Sequence, residues 1–338
     1  MKFGKKSELL PHLGRMEQVA GVRRAVLDDG KGRGMRAWDM YNASGLALTV
    51  YPDRGLDIGP ATYNGLPIAW MSRNGAVAPA FFEATGFNWL RTWCGGLLTT
   101  CGVLNVGGPC DTPEGAQGLH GRHNHIPAEN VNSRGYWNEA GEYVVEVTGD
   151  VAHTSVFGEN VVMSRTITMK LGRPEVEILD RAENRGASTA PFMRLYHMNY
   201  GWPLVSGAAY FDVPDHEVIP QNDHCREHIG EWARFAEPVA NFPEQVFYHD
   251  IPAGADGFAT MKLVNPDAGL ALRVSCRKKE LPYFVQWKMP GAGEYVCGIE
   301  PGNCYPEGQP KNAERGILRR LEQGEVSEMC VRVAIDAL

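Results

Sequence analysis

Alternation of side chains with a period of two is the feature that most constrains how this 338-residue chain folds. Successive side chains of a β-strand point to opposite faces, so a period of two is typical of strands that bury one face. The segments 46–50 and 175–180 both show this pattern. A longer example covers residues 161–169, where one predicted face carries Val161, Met163, Arg165, Ile167 and Met169. Strands, rather than amphipathic helices, are therefore predicted along most of the chain.

Turn sequences interrupt these segments at short intervals. The chain contains 39 glycines and 22 prolines, which leave little room for long helices. Many short strands joined by Gly and Pro turns indicate a sandwich or a barrel. We predict an all-β fold, a large antiparallel β-sandwich with few short helices, formed by one domain over residues 1–338 with residues 1–42 as lead-in strands. One short helix is expected at residues 231–236, and the Gly- and Pro-rich residues 102–121 are expected to form a long functional loop.

Composition narrows the class of function. The formal net charge is -7 and no block of like charge occurs, which argues against nucleic acid as a partner because phosphate binding needs clustered Lys and Arg. The basic N-terminus is not followed by an apolar signal segment, and no apolar run is long enough to span a membrane. We therefore expect a cytoplasmic protein without a membrane partner, whose eight cysteines are reduced thiols.

A histidine cluster at residues 117–125 is the first candidate site. His120, His123 and His125 lie within six residues, and Arg122 lies between them. Imidazole is a common metal ligand, so these three histidines are an alternative metal site. His120 and Arg122 also suit recognition of sugar hydroxyls, since both offer directional hydrogen-bond donors. A polar turn with histidines facing the solvent explains the same residues.

Two further segments carry groups suited to acid–base chemistry. In the segment 194–203, His197 and Asn199 would share one face of a strand, where imidazole, amide and nearby aromatic rings suit a sugar. Glu300 ends an apolar strand, where burial would raise its pKa towards that of a general base. A hydrogen-bonded structural histidine and a salt-bridged turn glutamate are the alternatives. Arg54, Arg91 and Arg122 support a further hypothesis, that the ligand carries a carboxylate, phosphate or sulfonate.

The order of these segments resembles the aldose 1-epimerase (galactose mutarotase-like) superfamily, in a divergent branch. Leu119-His120-Gly121 is similar to the family's Leu-His-Gly motif, whose histidine contacts the sugar. The strand at residues 196–199 resembles the one that carries the family's general acid, and Glu300 resembles its general base. The resemblance implies the galactose mutarotase-like supersandwich fold and a sugar site formed by His120, His197 and Glu300.

Two positions of the family pattern remain open in this sequence. The family has an arginine before its Leu-His-Gly motif, and Arg54 and Arg91 are both candidates. It also has a substrate-binding aspartate between the second histidine and the glutamate, for which Asp223 and Asp250 are candidates. The site expected from the resemblance thus consists of catalytic His197 and Glu300, with His120, Arg122, Asn199, Arg54 and Arg91 binding the substrate.

The implied activity is interconversion of sugar anomers by acid–base ring opening, in carbohydrate catabolism and without a cofactor. Glu300 would remove the proton of the anomeric hydroxyl while His197 protonates the ring oxygen. Two alternatives stay open at this point. One is a metal-assisted sugar isomerase or lyase on the same fold, with the metal acting as a Lewis acid. The other is a carbohydrate-binding protein without catalysis, since one fold hosts many functions.

Overall fold

Strands of 2 to 12 residues are the main regular elements of the chain. The computed structural model describes residues 5–338. The strands of the first half are β1 Gly21–Val26, β2 Arg36–Tyr41, β3 Leu46–Tyr51, β4 Asp57–Tyr63, β5 Leu66–Pro67, β6 Thr99–Val103, β7 Cys110–Thr112, β8 Gly115–Gln117, β9 Glu129–Trp137, β10 Tyr143–Thr154, β11 Asn160–Lys170 and β12 Glu175–Asn184.

The second half adds further strands and short helices. The strands are β13 Ala190–Pro191, β14 Met193–Gly201, β15 Tyr210–Asp212, β16 Val218–Pro220, β17 Gln245–His249, β18 Phe258–Asn265, β19 Leu270–Arg277, β20 Tyr283–Met289, β21 Val296–Gly302, β22 Arg320–Leu321 and β23 Val326–Ala337. Over the described residues, the α-helices are α1 Lys6–Leu9, α2 Asp223–Glu227 and α3 Gln309–Glu314.

Three larger sheets organise these strands, and the registered strand pairs within them are antiparallel. The first sheet runs β1-β2-β3-β4-β5, the second β15-β18-β19-β23-β12-β11-β10-β9, and the third β16-β17-β20-β21-β14-β6. Some neighbouring strands are consecutive in the chain, whereas others, such as β12 and β23 or β6 and β14, come from distant parts of it. The predicted all-β antiparallel sandwich is therefore confirmed.

The main core lies between the sheets and follows the predicted alternation. In β11, every second side chain from Val161 to Met169 is buried, and the intervening Ser164, Thr166 and Thr168 are only partly buried. In β14, Tyr196, Met198 and Tyr200 enter the main core. Leu195, from the other face of the same strand, packs in a separate apolar cluster. The third sheet is thus covered on both faces, and the face that carries Leu195 forms the candidate site.

A buried ionic network crosses the main core. The guanidinium of Arg165, which is 1% exposed, binds both carboxylate oxygens of Asp180 at 2.8 and 2.7 Å. It also contacts Asp57 Oδ1 at 3.0 Å and Thr100 Oγ1 at 2.9 Å. The Tyr196 hydroxyl donates to Asp180 at 2.7 Å. Because β11 and β12 belong to the second sheet and β6 and β14 to the third, this network joins the two sheets.

Some local expectations are corrected or refined by the structure. The helix predicted for residues 231–236 is wrong: a short 3-10 turn covers Ile229–Glu231, and the chain then continues irregularly, held by backbone carbonyl contacts to the third sheet. Residues 1–42, expected as lead-in strands, carry β1 and β2 of the first sheet; residues 1–4 lie outside the described part. All eight cysteines are free thiols. Within residues 5–338, no helix has the length and apolarity needed to cross a membrane.

Candidate functional site

A cavity of about 270 Å³ lies on the face of the third sheet that points away from the main core. Strands β14, β17, β20 and β21 form its floor, and the loops around residues 87–93, 107–108 and 119–120 form its walls. The loop at residues 102–121, predicted to be functional, thus supplies part of the wall. The cavity contains His120, His197 and Glu300 together.

His197 and Glu300 are neighbours across two paired strands. The register that pairs Met198 of β14 with Ile299 of β21 also brings these two side chains to the same face, where cross-strand neighbours lie close together. His197 Nε2 is 3.4 Å from Glu300 Oε1. Glu300 Oε1 and His197 Nδ1 are buried, and neither has a hydrogen-bond partner within residues 5–338. Both groups are therefore held close together and available to a ligand.

Burial shifts both titrations in the direction that favours uncharged groups. Loss of water lowers the pKa of His197 to about 4. Burial, together with the negative charge of Glu244, raises the pKa of Glu300 well above its usual value. Two coupled groups whose pKa values are moved apart in this way are the arrangement expected of an acid–base pair.

His120 faces the same pair from the loop. Its backbone has a φ of 57°, and backbone bonds with Gly107 and Gly102 fix this conformation. The Gly107 N–H also donates to His120 Nδ1 at 3.3 Å, so the neutral ring carries its proton on Nε2. Burial lowers the pKa of His120 to about 3. The ring is therefore a neutral hydrogen-bond donor, 5.6 Å from the His197 ring between centroids.

Tryptophans form much of the remaining wall. The rings of Trp93 and Trp287 lie 5.1 and 5.4 Å from the His197 ring. Trp89 stacks on Trp93 at 5.0 Å. Each indole N–H is fixed by a hydrogen bond, to Asn124, Thr99 and Glu244 respectively for Trp89, Trp93 and Trp287. Aromatic faces with polar groups at their edges suit the C–H faces and hydroxyls of a sugar.

Sequence reasoning missed these tryptophans and two polar residues, Glu244 and Gln221. Glu244 is exposed at the rim of the cavity, and its Oε2 accepts a bond from Trp287 Nε1 at 2.8 Å. Gln221, whose backbone N–H donates to the Val246 carbonyl at 3.1 Å, also lines the cavity. Asp223 and Asp250, the two earlier candidates for a substrate-binding carboxylate, do not line the cavity. The position of Glu244 directly before β17 was the available signal, but a lone glutamate before an apolar segment is common.

Asn199 lies on the same face of β14 as His197 but is not among the residues that line the cavity. Its side-chain amide donates to the carbonyls of Gly96 at 3.0 Å and His197 at 3.1 Å. Asn199 is fully buried. Asn199 therefore joins β14 to the loop before β6. Its amide holds the backbone at His197 instead of making the substrate contact expected from the sequence.

The three arginines expected at the site lie outside the cavity lining. Arg54 is buried elsewhere and donates to the carbonyl of Val77 at 3.1 Å. Arg91 is exposed and contacts Asn88. Arg122 donates to Glu159 at 2.9 Å and to the Thr154 carbonyl at 2.5 Å. The spacing in sequence suggested contact with ligand, but the backbone turns these side chains towards other partners.

The histidine cluster is dispersed by the fold. His125 stacks on Phe82 at 3.9 Å and its Nε2 lies 2.9 Å from Thr92 Oγ1. His123 is buried in the interior with its ring parallel to that of His153. Only His120 reaches the cavity. Across residues 5–338, no group of three or more His, Cys, Asp or Glu side chains is arranged to hold a metal ion.

Solved structures with the same fold cover nearly the whole chain. A putative aldose 1-epimerase from Klebsiella pneumoniae is 22% identical, with a TM-score of 0.86 over 93% of this chain and 83% of that chain. A galactose mutarotase-like protein from Clostridium acetobutylicum is 12% identical, with a TM-score of 0.69 over 95% and 100% of the two chains. Galactose 1-epimerase from Lactobacillus acidophilus is 12% identical, with a TM-score of 0.63 over 94% and 98%.

These similarities show that the fold is the galactose mutarotase-like sandwich that the resemblance implied. No curated protein matches the sequence. Residues 32–335 match the family model described as "Domain of unknown function (DUF4432)", and the chain therefore belongs to this family.

Proposed function

We propose that the protein is an aldose 1-epimerase-like isomerase that interconverts the anomers of a sugar in carbohydrate catabolism. The pair formed by His197 and Glu300 supports this proposal most strongly. The two groups are 3.4 Å apart in a cavity walled by tryptophans, and burial shifts their pKa values in opposite directions. An acid and a base on one side of a sugar are what ring opening requires.

The reaction starts from the form in which the single proton of the pair is on His197, and ring opening transfers two protons. Glu300 takes the proton of the anomeric hydroxyl, His197 gives a proton to the ring oxygen, and the bond between C1 and that oxygen breaks. The aldehyde rotates about the C1–C2 bond, and closure on its other face returns both protons. After ring opening, the carboxyl is protonated and the imidazole is neutral. Burial favours the same uncharged arrangement in the free protein, so the form that reacts, with the proton on His197 and Glu300 ionised, is the minor form of the singly protonated pair.

The other lining residues hold the sugar. The Nε2–H of His120 is directed by the Gly107 bond to Nδ1 and donates to a sugar oxygen. Trp93 and Trp287 offer ring faces beside His197. Glu244 accepts hydrogen bonds from sugar hydroxyls, and the Gln221 amide both accepts and donates them. Positioning of this kind places the anomeric centre between the two reacting groups.

The rate is expected to have a bell-shaped pH dependence, because only the singly protonated pair contains both an acid and a base. As the pH falls through the His197 pKa of about 4, the pair takes a second proton and loses its base. As the pH rises through the raised pKa of Glu300, the pair loses its acid. The profile of kcat/KM, corrected for spontaneous exchange, would show both limbs; a rate that climbs continuously to high pH would contradict the shared-proton mechanism.

Neutral sugars are expected to be better substrates than acidic ones. None of the described residues that line the cavity is a lysine or an arginine, whereas Glu244 and Glu300 both line it. A carboxylate on the sugar would therefore meet negative charge without a cation to balance it. This arrangement argues against the acidic ligand suggested by Arg54, Arg91 and Arg122 in the sequence.

The test is NMR exchange between anomers for pairs of sugars that differ only at C6, such as galactose and galacturonate, or glucose and glucuronate. We expect kcat/KM to be about tenfold or more lower for the acid of the accepted pair, which corresponds to about 1.4 kcal/mol. Preference for the acid would overturn the assignment of substrate class alone. No acceleration for any neutral or acidic sugar would overturn the proposed function.

A further inference from the structure

A second cavity lies behind the candidate site, on the opposite face of the third sheet. Its volume is about 190 Å³. In β20, Trp287 lines the first cavity and the next residue, Lys288, lines the second. In β17, Gln245 lines the second cavity and Val246 the first. Because neighbouring side chains of a strand point to opposite faces, the two cavities share a sheet but have separate linings.

The walls of this cavity are mostly apolar. The irregular segment at residues 231–242 covers it with Phe235, Val239 and Phe242, and Met289 and Tyr295 close the sides. The Tyr295 hydroxyl donates to the Ala236 carbonyl at 2.6 Å. Gln286 holds the same segment by donating to the Trp232 carbonyl at 2.8 Å. The cover is therefore fixed to the sheet on both sides of the cavity.

Two polar side chains meet at the inner end. Gln245 and Lys288 are paired across β17 and β20, and they are 2% and 5% exposed. Among the described residues, the Gln245 side-chain nitrogen, Nε2, finds no hydrogen-bond partner. Unpaired donors of this kind are rare in folded proteins, because each loses its bond to water on burial. The free Gln245 amide therefore points to an acceptor supplied from outside the chain.

Lys288 adds a charge that lacks a counter-ion. Its Nζ donates to the carbonyls of Glu231 at 2.8 Å and Arg234 at 2.7 Å, which leaves one of the three ammonium donors. Throughout residues 5–338, no carboxylate forms an ion pair with it. Burial lowers its pKa, and the opposing influences of Cys297 and Glu231 are weaker than burial. A buried ammonium is costly until a negative charge lies beside it.

The rim carries charges of both signs. Glu231, Arg234 and Glu237 line the outer part, and Arg234 lies over the Tyr210 ring at 4.8 Å. The two acids and one base at the rim are exposed, so water screens them more strongly than it screens Lys288. We therefore expect the cavity to distinguish charged from neutral ligands at its inner end, beside Lys288, rather than at its rim.

We propose that this second cavity binds a small monocarboxylate with an apolar body, whose carboxylate lies between the Gln245 amide and the Lys288 ammonium. The apolar body contacts Phe235, Phe242 and Tyr295. An apolar cavity of about 150 Å³ holds a benzene ring, so the observed 190 Å³ fits one ring with a short acidic arm. This site goes beyond the proposed function, because its residues are not those of the sugar cavity.

The test is a ¹⁹F NMR titration of the complete protein with 4-fluorophenylacetate, and with 4-fluorophenylacetamide as its neutral counterpart. We expect saturable binding of one carboxylate per chain, and binding of the amide that is about tenfold weaker or more, since a charged hydrogen bond is lost. The variant Lys288→Met should weaken carboxylate binding by a similar factor. The matched change Lys262→Met, at a lysine paired with Asp212 on the surface, should leave it unaltered.

Two further variants keep the result interpretable. Val239→Trp places a large ring at the exposed edge of the cover, fills the cavity without removing a polar group, and should abolish binding. Glu300→Gln alters the sugar cavity only and should not change the affinity for the probe. No saturable binding to the unaltered protein, equal affinity for the amide, or binding that survives both Lys288→Met and Val239→Trp would each overturn the proposal.

Discussion

Replacing Glu300 by glutamine is expected to lower kcat for anomer exchange by about 100- to 10,000-fold, the usual contribution of a positioned general base. Glutamine has nearly the same shape, so it preserves the packing beneath the tryptophans while removing the group that accepts the anomeric proton. The KM should change little, because the indole rings, His120 and the rim residues remain. The measurement is NMR exchange between anomers under saturating sugar.

The same variant should fold as well as the unaltered protein. Burial raises the pKa of Glu300 above its unfolded value, so its contribution to stability is present at low pH and is lost as the pH rises through the folded pKa. A neutral glutamine does not have this loss. The free energy of unfolding of the Glu300→Gln protein at pH 8 should therefore equal or exceed that of the unaltered protein. Loss of activity would then report chemistry rather than unfolding.

Glu177→Gln is the matched control for Glu300→Gln. Glu177 lies on the outer face of β12 and accepts a bond from Arg332 at 2.7 Å, so the same chemical change is made far from the cavity. Its activity should stay close to that of the unaltered protein. Turnover by Glu300→Gln at an unaltered rate would remove Glu300 from the reaction, and His197→Gln would then show whether the imidazole acts alone.

Replacing Arg165 by methionine is expected to lower the free energy of unfolding by about 3–5 kcal/mol. The change leaves Asp180 and Asp57 buried without the cation that binds them at 2.7 and 3.0 Å. Asp180 is fully buried, and breaking a buried pair by removal of one partner leaves a charge that water does not reach. Urea unfolding, followed by fluorescence of the tryptophans, measures the loss.

Arg273→Met provides the contrast. Arg273 also makes a two-bonded pair with an aspartate, Asp336, at 2.7 and 3.0 Å, but both side chains are more than two-fifths exposed. Exposed pairs of this kind contribute about 0–1 kcal/mol. Equal losses of unfolding free energy for Arg165→Met and Arg273→Met would show that burial of the Arg165 network does not matter to stability.

The interior network also explains a feature of the sequence pattern. Arg165 and Asp180 occupy positions in β11 and β12 that the alternation assigns to the buried face. A charged residue at such a position is a local conflict with the pattern, and the fold resolves it by pairing the two charges with each other and with Asp57. The alternation placed these residues on the same strand faces as apolar side chains, but it did not show which partners make their burial tolerable.

The strand faces, the all-β class and the order of the site segments were determined by the sequence itself. The period of two is a local property of the backbone, so Tyr196 and Met198 could be assigned to one face of β14 and His197 to the other without knowing what covers either face. Leu119-His120-Gly121 and Glu300 were assigned to one site by the resemblance to the aldose 1-epimerase superfamily, which periodicity alone does not supply.

Only the tertiary structure decided which side chains share the cavity. Trp89, Trp93 and Glu244 come from loops whose positions depend on contacts between distant segments, and no local pattern marks them. Arg54, Arg91 and Arg122 resembled ligand contacts, but Arg54 and Arg122 are directed to partners far away in the chain, and Arg91 contacts a residue of its own turn. Long-range packing decides which loops meet over a sheet. Spacing along the sequence therefore could not show whether the cavity would be lined by these arginines or by Glu244.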